Sequence, residues 1–295
     1  MKIKTSLVYH LMMVPAVVLL CIFSVYPLFG YVIAFQAYDP VLGMWHSPFV
    51  GLDNFRYMFM IPEIKQILWN TVSIAVLKIL FTEFTALVFA LLLNELKNAF
   101  FKRAVQTVVY LPHFISWVLL AGIFANIFSL DGIVNHLIGL FGAEPIMFLG
   151  SNKWFPGIIV GTHVWQQFGF RAIIYLAALT GISPNLYEAA DIDGAGRMQK
   201  LLYVTLPGIS MTIVLLLALD LQDILNAGFE QILNMYNPLV YQSGDIIDTY
   251  VYRAGLKEMQ YELATAVGML KSAVSFVMIA ISYFLASKFA NYKIF

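Results

Sequence analysis

The sequence has little charge and almost no cysteine. Asp, Glu, Lys and Arg make up 12% of its 295 residues, whereas soluble domains carry about 25%. Because 61% of the residues are hydrophobic, a soluble fold of this length could not bury its apolar surface, and an ordinary cytosolic enzyme is excluded. The single cysteine, Cys21, excludes a disulfide scaffold, and the formal net charge of zero argues against a nucleic-acid partner. A protein that is solvated largely by lipid remains.

Six stretches are long and apolar enough to cross a bilayer, which takes about 20 residues per helix. These predicted spans cover residues 9–35, 69–93, 105–128, 155–179, 205–225 and 267–289. The first run is too long for a signal peptide and lacks a small-residue cleavage site, so we expect it to stay as a span. The sequence therefore predicts an all-α polytopic membrane protein with a single domain over residues 1–295.

The basic residues predict the orientation of this protein. Nine of the 17 Lys and Arg residues lie at the two termini and in the second and fourth loops, and five lie in the other three loops. Because cytoplasmic loops carry more basic residues, we expect both termini to be cytoplasmic. The outer loops are then residues 36–68, 129–154 and 226–266. Their aromatic and turn-forming residues indicate short ordered helices and turns.

Motifs for catalysis and for nucleotide binding are missing from the sequence. It contains no G-x-x-x-x-G-K-[ST] phosphate loop, no H-E-x-x-H and no G-x-S-x-G. Its five histidines are dispersed without the spacing of metal ligands. We therefore expect no catalytic site, no metal site and no bound cofactor in this chain.

The fourth loop, at residues 180–207, differs from the others because it predicts a helical hairpin. Ser183 is a good N-cap and Pro184 suits the first position of a helix, which we expect to run to about residue 192. Gly194 and Gly196 can end that helix by adopting positive φ angles. A second short helix is expected from 197 to 204, and Pro207 would then begin the fifth span.

An apolar stripe follows the second half of this hairpin. Met198, Leu201, Leu202 and Thr205 recur at the i, i+3, i+4 and i+7 spacing of one helix face. Charged residues surround the stripe: Glu188, Asp191, Asp193, Arg197 and Lys200. Such a surface fits docking on another protein, and it equally fits a helix that lies on lipid headgroups. The residues alone leave both interpretations open.

Three short motifs carry a resemblance to a known family. They are Glu188-Ala189-Ala190, then Asp193-Gly194-Ala195 after two residues, and Leu206-Pro207 after ten more. This pattern resembles the EAA signature of permease subunits in binding-protein-dependent ABC importers, where it also lies between the fourth and fifth of six spans. Leu201 departs from the pattern, since many relatives carry an aromatic residue there, but it keeps the apolar character. The stretches 49–55, 226–231, 236–241 and 248–253 are similar to the sugar branch of that family, the permeases of polysaccharide and complex-oligosaccharide importers.

The resemblance implies the type I ABC importer fold, with the hairpin at 183–207 as a cytoplasmic coupling element. It also implies several partners: a second homologous permease, an ATP-binding subunit dimer and an extracellular or periplasmic sugar-binding protein. ATP and Mg²⁺ would bind to the ATPase and not to this chain, which would lie in a bacterial cytoplasmic membrane and import a carbohydrate. The residues that would contact the ATPase are Glu188, Ala189, Ala190, Asp193, Gly194, Ala195, Met198, Leu201 and Leu202.

Polar residues inside the predicted spans are candidates for the substrate pathway, because charged groups in hydrocarbon normally face a cavity or form pairs. Sugars are bound by amide and carboxylate hydrogen bonds and by aromatic stacking. The residues that offer those groups are Trp165, Gln166, Gln167, Asp220, Gln222, Asn226 and Tyr236. We also expect Lys78 to meet an acid on another helix, either Asp220 or Asp223.

Other classes of membrane protein remain as alternatives. A permease of the same class could carry another solute, and a stand-alone secondary transporter could work without ATP. The latter would often show inverted repeats and broken spans at matching positions, which the sequence does not display clearly. The missing motifs weigh against an intramembrane enzyme, and the hairpin weighs against a purely structural scaffold.

Overall fold

The computed structural model describes residues 5–222 and 224–289, and it describes side chains for residues 9–221 and 224–284. Nearly all of these residues are helical, and the β structure among them is a single antiparallel bridge between Gln36 and Phe49. The α-helices of the described chain are α1 Thr5–Leu20, α2 Asp53–Met60, α3 Pro62–Asn94, α4 Ala99–Tyr110, α5 Trp117–Ile127, α6 Ile133–Leu140, α7 Phe155–Thr180, α8 Pro184–Ile192, α9 Arg197–Lys200, α10 Leu206–Gln222, α11 Phe229–Met235, α12 Tyr241–Gly244, α13 Ile247–Tyr252 and α14 Tyr261–Phe289. The all-α prediction is confirmed.

Four helical runs are long and apolar enough to cross a membrane. They are Tyr9–Phe35, Pro62–Asn94, Arg197–Leu221 and Tyr261–Phe284. The first run begins as α1 and continues through a π-helical turn and a 3₁₀ segment. These runs confirm the first, second, fifth and sixth predicted spans.

The third predicted span, at 105–128, is wrong as a single helix. The segments Ala99–Phe114 and Trp117–Ile127 meet at an angle of 103°. Pro112 lies in a 3₁₀ turn just before the bend, and Ile115 is extended, with φ −91° and ψ 130°. Ser116 is extended as well, with φ −65° and ψ 148°, so two extended residues separate the two helical segments. The two segments together can count as one broken span.

The fourth predicted span corresponds to α7. This helix has 26 residues and is therefore about 39 Å long, but it is not among the helices that are apolar enough to count as a span by composition. Eleven of its residues are buried within the protein, among them the polar Thr162 and Gln166. A span that is shielded from lipid by other helices tolerates such polar residues. The count of six spans stays a prediction.

The chain divides into two compact units. The first comprises the described residues up to Ile64 together with Tyr250–Ser272. Within it, the Asn54 side chain donates to the carbonyl oxygens of Ala34 at 3.0 Å and Gln36 at 2.8 Å, which fixes α2 against the end of the first run.

The second unit comprises Lys65–Thr249 and the described residues from Ala273 onward. Its core lies where α3, α7 and α10 pack together. The buried residues of this core are Ala86, Ala90, Leu93, Ala172, Tyr175, Leu176, Leu179, Ile209 and Leu216. Small residues let helices approach closely in membranes. At Gly169 of α7 an added Cβ would lie 2.3 Å from the Val109 carbonyl oxygen, so α4 and α7 touch backbone to backbone.

The loops predicted to be on the outside do contain short helices. The segment 36–68 holds α2, the segment 129–154 holds α6, and the segment 226–266 holds α11, α12 and α13. In the second of these, the buried Asn135 side chain donates to the carbonyl oxygens of Ser129 at 2.8 Å and Ile146 at 2.9 Å. The prediction of ordered loops is confirmed.

Candidate functional site

The hairpin turn after α8 follows from one glycine. Gly194 has a φ of +75°, a conformation that costs residues with a Cβ about 1–2 kcal/mol. The N–H of Gly194 donates to the Asp191 carbonyl at 3.1 Å, and the N–H of Ala195 donates to the Ala190 carbonyl at 2.9 Å. These two bonds form a Schellman motif, which satisfies the last carbonyls of the helix. The predicted turn at Gly194 is confirmed, whereas a positive φ at Gly196 is wrong, since its φ is −70° and it precedes α9 as the N-cap.

The second half of the hairpin differs from the prediction. The expected short helix at 197–204 does not end before the span, because α9 continues through a π-helical turn, Leu201–Thr205, into α10. The N–H of Leu206 reaches back five residues to the Leu201 carbonyl. This wider turn precedes Pro207, whose ring could not fit the ordinary i to i−4 ladder. The hairpin is therefore the direct extension of a membrane helix.

Side chains link the two halves of the hairpin. The hydroxyl groups of Tyr187 and Thr205 form a hydrogen bond of 3.0 Å. Farther from the membrane helix, Asp191 and Lys200 form an ion pair. Links at two levels hold α8 against the start of the next helix, so the hairpin can move as one body.

The root of the hairpin is packed into the core of the second unit. Ile182 lies against that core, and an added Cβ at Gly208 would be 2.9 Å from the Ile182 Cδ1 atom. Only glycine at this position leaves room for the isoleucine without a shift. The hairpin is thus tightly packed against α7 and α10 at its root.

Most of the predicted coupling residues are accessible. Ala190, Ala195 and Leu201 are half-buried, and the exposed ones are Glu188, Ala189, Asp193, Gly194, Met198 and Leu202. Thr205, which the sequence placed on the apolar stripe, is buried beneath the hairpin. The sequence analysis missed three large exposed apolar side chains, Leu186, Ile192 and Tyr203. Ile192, which is 87% exposed, stands directly before the Asp193-Gly194-Ala195 motif, and that position could have revealed it.

A group of charged and polar residues connects α3, α7 and α10. The Arg171 guanidinium contacts the Asp220 carboxylate, and its Nε lies 3.5 Å from Glu83 Oε1. The Tyr175 hydroxyl donates to the other oxygen of Glu83. We call these four residues the Arg171 cluster. One cation thus holds two acids that come from different helices.

A second polar group lies around Lys78 of α3. Its Nζ donates to the Ala227 carbonyl at 2.7 Å and to Gln231 Oε1 at 2.6 Å. The amide nitrogen of Gln231 donates in turn to the Ile159 carbonyl at 2.7 Å and to Thr162 Oγ1 at 2.8 Å. We call this chain of contacts the Lys78 network. It joins α3, α7 and α11 without any carboxylate.

The expectation that Lys78 would pair with an acid is wrong for Asp220. That carboxylate is held by Arg171 instead, because the guanidinium on α7 reaches both Asp220 and Glu83. The other expected partner, Asp223, lies outside the described residues.

A cavity of about 330 Å³ lies between the two polar groups. The residues that line it are Ala75, Lys78, Ile79, His163, Arg171, Asp220, Asn226, Ala227 and Gly228. A second cavity of about 280 Å³ shares Asn226 and Gly228 with the first, and Gln231 and Trp117 also line it. Of the predicted pathway residues, the structure therefore places Asp220 and Asn226 at a cavity that a polar solute could enter.

Other predicted pathway residues serve the packing of the bundle. The Gln166 amide donates to the Ile115 carbonyl at 3.0 Å, and Gln167 donates to Gln166 at 3.0 Å while its oxygen lies 3.0 Å from His113 Nδ1. Both glutamines thus support the break between α4 and α5. Tandem glutamines on a buried helix look the same in sequence whether they bind a solute or the backbone at a helix break.

The remaining predicted residues are dispersed. Trp165 is half-exposed and lines an apolar groove of about 430 Å³ with Phe124 and Phe128. Tyr236 is half-buried, with its ring centroid 5.1 Å from that of Tyr241. The Gln222 side chain lies outside the described side chains. The structure thus places Asp220 and Asn226 at one cavity and Gln166 with Gln167 at the break between α4 and α5, while Trp165 and Tyr236 lie elsewhere.

The sequence is similar to a family of known proteins and to two well-matched relatives. The family described as "Binding-protein-dependent transport system inner membrane component" matches residues 83–291. Protein LplB of Bacillus subtilis is 41% identical over 97% of this chain and 90% of its own. The polygalacturonan/rhamnogalacturonan transport system permease protein YteP of Bacillus subtilis is 40% identical over 97% of this chain and 89% of its own.

A solved structure shares the fold. A chain of a bacterial ABC transporter involved in the import of the acidic polysaccharide alginate aligns with a TM-score of 0.90 and 35% identity. The alignment covers 98% of both chains. The helical arrangement described above is therefore one that an importer subunit also adopts.

Proposed function

The chain belongs to the family of binding-protein-dependent transport system inner membrane components, and from this membership we propose that it imports an oligosaccharide or a polysaccharide fragment. In this proposal it is the membrane-spanning subunit of an ABC importer, together with a second, homologous permease. Relatives named for the transport of polygalacturonan, alginate and galactooligosaccharides support the saccharide class of substrate.

Energy reaches this subunit through the hairpin at 183–207. The observation that carries the proposal is the combination of a hairpin held at two levels with apolar side chains left exposed on it. Exposed apolar groups with a charged rim match the helix-in-groove mode of protein docking. The ATPase partner would grip Met198 and Leu202, with Glu188 as the charged contact.

ATP binding and hydrolysis belong to the ATP-binding subunit dimer in this proposal, so this chain is a transporter subunit and not an enzyme, and it holds no cofactor of its own. The hairpin then lies on the cytoplasmic side, together with both termini. The outer loops face a sugar-binding protein. A solved alginate ABC transporter in complex with an alginate pentasaccharide-bound periplasmic protein supports such a partner.

The cavity between the Arg171 cluster and the Lys78 network is the proposed route of the solute. For the cycle to do work, the saccharide must bind differently to the inward-open and outward-open states. Helices α3, α7 and α10 line this cavity and also pack around the root of the hairpin. Movement of the hairpin can therefore change the width of the cavity directly.

Cysteine cross-linking tests the coupling proposal. Cys21 is the one native cysteine, so a Cys21→Ser background allows single cysteines to be introduced at Met198 or, as a matched exposed control in an outer loop, at Leu239. We expect the Met198→Cys variant to cross-link to cysteines in the docking cleft of the ATPase and the Leu239→Cys variant to give no such product. A cross-link to the ATPase from position 239, or ATP-independent uptake by this chain alone, would overturn the proposal.

A further inference from the structure

Lys78 is a buried cation whose described hydrogen-bond partners are all neutral. It is 3% exposed, and its ammonium donates to one backbone carbonyl and one amide oxygen. An ammonium has three donors, so one donor is left over beside the cavity that Lys78 lines. Within the described part of the chain, no carboxylate forms an ion pair with it. A charge buried in this way is costly unless an anion joins it.

The guanidinium of Arg171 at the cavity is already paired. Arg171 is held by both Glu83 and Asp220, and Tyr175 donates a further hydrogen bond to Glu83. This cluster contains two carboxylates for one guanidinium and would therefore repel an incoming anion. Among the described residues that line the cavity, Lys78 is the cation that such an anion could meet.

Gly228 keeps the space in front of Lys78 open. An added Cβ at this position would lie 2.6 Å from the Lys78 Nζ atom, and the φ angle of +86° is itself one that favours glycine. Gly228 lines both cavities, as does Asn226, so the ammonium lies where the two cavities adjoin.

His163 supplies a second polar group at the cavity. Its Nδ1 atom is buried and has no hydrogen-bond partner among the described residues. The side chain lines the same cavity as Lys78. A buried polar nitrogen without a partner is rare in native proteins and calls for an explanation. A ligand that places oxygen atoms in the cavity would supply the missing partner.

We infer that Lys78 and His163 form a subsite for the carboxylate of an acidic saccharide. The Lys78 ammonium would donate its third hydrogen bond to the carboxylate, and the His163 Nδ1 would bond to a neighbouring oxygen of the sugar. This inference rests on the proposed function, which it makes more specific: the solute carries uronic acid units, and the permease itself recognises their charge.

The test compares an acidic saccharide with its uncharged methyl ester and with a neutral saccharide. The complete transporter, reconstituted in liposomes with its binding protein, is given radiolabelled galacturonic acid trisaccharide or the same trisaccharide with methyl-esterified carboxyl groups. A galactose trisaccharide serves as a neutral substrate. The measured quantity is the ratio of kcat/KM for the acid to that for the ester. We expect the wild type to prefer the acid.

Two substitutions remove the charge match in different ways. Lys78→Gln deletes the cation, and Gln231→Glu gives it a carboxylate partner of the same shape as the native amide. Each should lower the acid-to-ester ratio about tenfold or more, because one hydrogen bond between charged groups is lost. Lys65→Gln, which removes an exposed lysine from the same helix, should leave the ratio unchanged.

The outcomes separate the inference from the function on which it rests. ATP-dependent uptake of neutral saccharides, combined with a wild-type ratio near one or with a ratio that both variants preserve, overturns the subsite and leaves the proposed function standing. The absence of ATP-dependent uptake for all three saccharides overturns the proposed function itself.

Discussion

The hairpin at 183–207 and the cavity between the Arg171 cluster and the Lys78 network are opposites in their chemistry. The hairpin exposes apolar side chains, with Ile192 87% exposed, whereas the cavity buries a lysine that is 3% exposed. Both reverse the usual distribution, in which apolar residues are inside and charged ones outside. In the proposed function, each reversal is met by a partner: an apolar protein surface at the hairpin and a polar solute at the cavity.

The two regions should also respond differently to substitution. The cavity is built from contacts between helices that are far apart in sequence, so changes there should lower the stability of the bundle. The hairpin is held by its own turn and by nearby side chains, so changes on its surface should impair transport and leave the fold intact. The four predictions below test this difference, in order of the expected change in free energy.

Loss of the Arg171 side chain should have the largest effect. Arg171→Met leaves Glu83 and Asp220 buried without their cation, and removal of one partner from a buried ion pair costs about 3–5 kcal/mol. Denaturant unfolding of the detergent-solubilised protein measures this loss. Arg56→Met breaks an exposed pair with Asp53 and should cost less than about 1 kcal/mol. Equal losses for the two variants would contradict the structural role of the cluster.

Two glycines on α7 give a matched comparison. Gly169→Ala forces a Cβ against the Val109 carbonyl, and such overpacking costs about 1–3 kcal/mol. Gly161 has no atom within 4 Å of the position of an added Cβ, so Gly161→Ala should leave the unfolding free energy unchanged or slightly higher. Thermal unfolding in detergent measures both. If Gly161→Ala proved the more damaging, the close approach of α4 and α7 would be wrong.

On the hairpin, a change of charge should affect transport alone. Glu188 is exposed, so Glu188→Ala should leave the unfolding midpoint unchanged and lower ATP-dependent uptake about tenfold, which is equivalent to about 1.4 kcal/mol. Glu95→Ala, at an exposed acid in the second loop, is the control for loss of one negative charge. Normal uptake by the Glu188 variant, in protein that inserts at the wild-type level, would remove the coupling role.

The smallest effect is expected at the ion pair that links the two halves of the hairpin. Asp191→Asn breaks its contact with Lys200, and exposed pairs contribute about 0–1 kcal/mol. Uptake should fall less than about fivefold, and high salt should reduce the difference between variant and wild type because it screens the native pair. A loss as large as that of the Glu188 variant would show that the hairpin depends on this link for its rigidity.

The hairpin could be predicted from the sequence because its determinants are local. Its determinants all lie within residues 183–207: the proline at the start of α8, the turn at Gly194 and the spacing of the motifs. The partners of Lys78 could not be predicted in this way, since Gln231 is 153 residues away. Periodicity shows which residues lie on one face of a helix. It does not show which helix, distant in sequence, will pack against that face.

The break between α4 and α5 had a signal that hydropathy conceals. Pro112 lies in the middle of the predicted third span, and proline inside a helix commonly bends it. A window of apolar residues averages over this single position, so the predicted span at 105–128 shows no break. The glutamines at 166 and 167, which support the bend, then looked free to bind solute.

The π-helical turn at Leu201–Thr205 sets the direction in which the hairpin side chains point around the axis of α10. A π turn holds one residue more than the same stretch of α-helix, and each residue of an α-helix advances the azimuth by about 100°. Deleting one residue here would restore regular winding and swing Met198 and everything beyond it about a quarter of a revolution around the axis of α10. The rest of the hairpin would keep its sequence, but its exposed apolar side chains would point in a different direction around that axis.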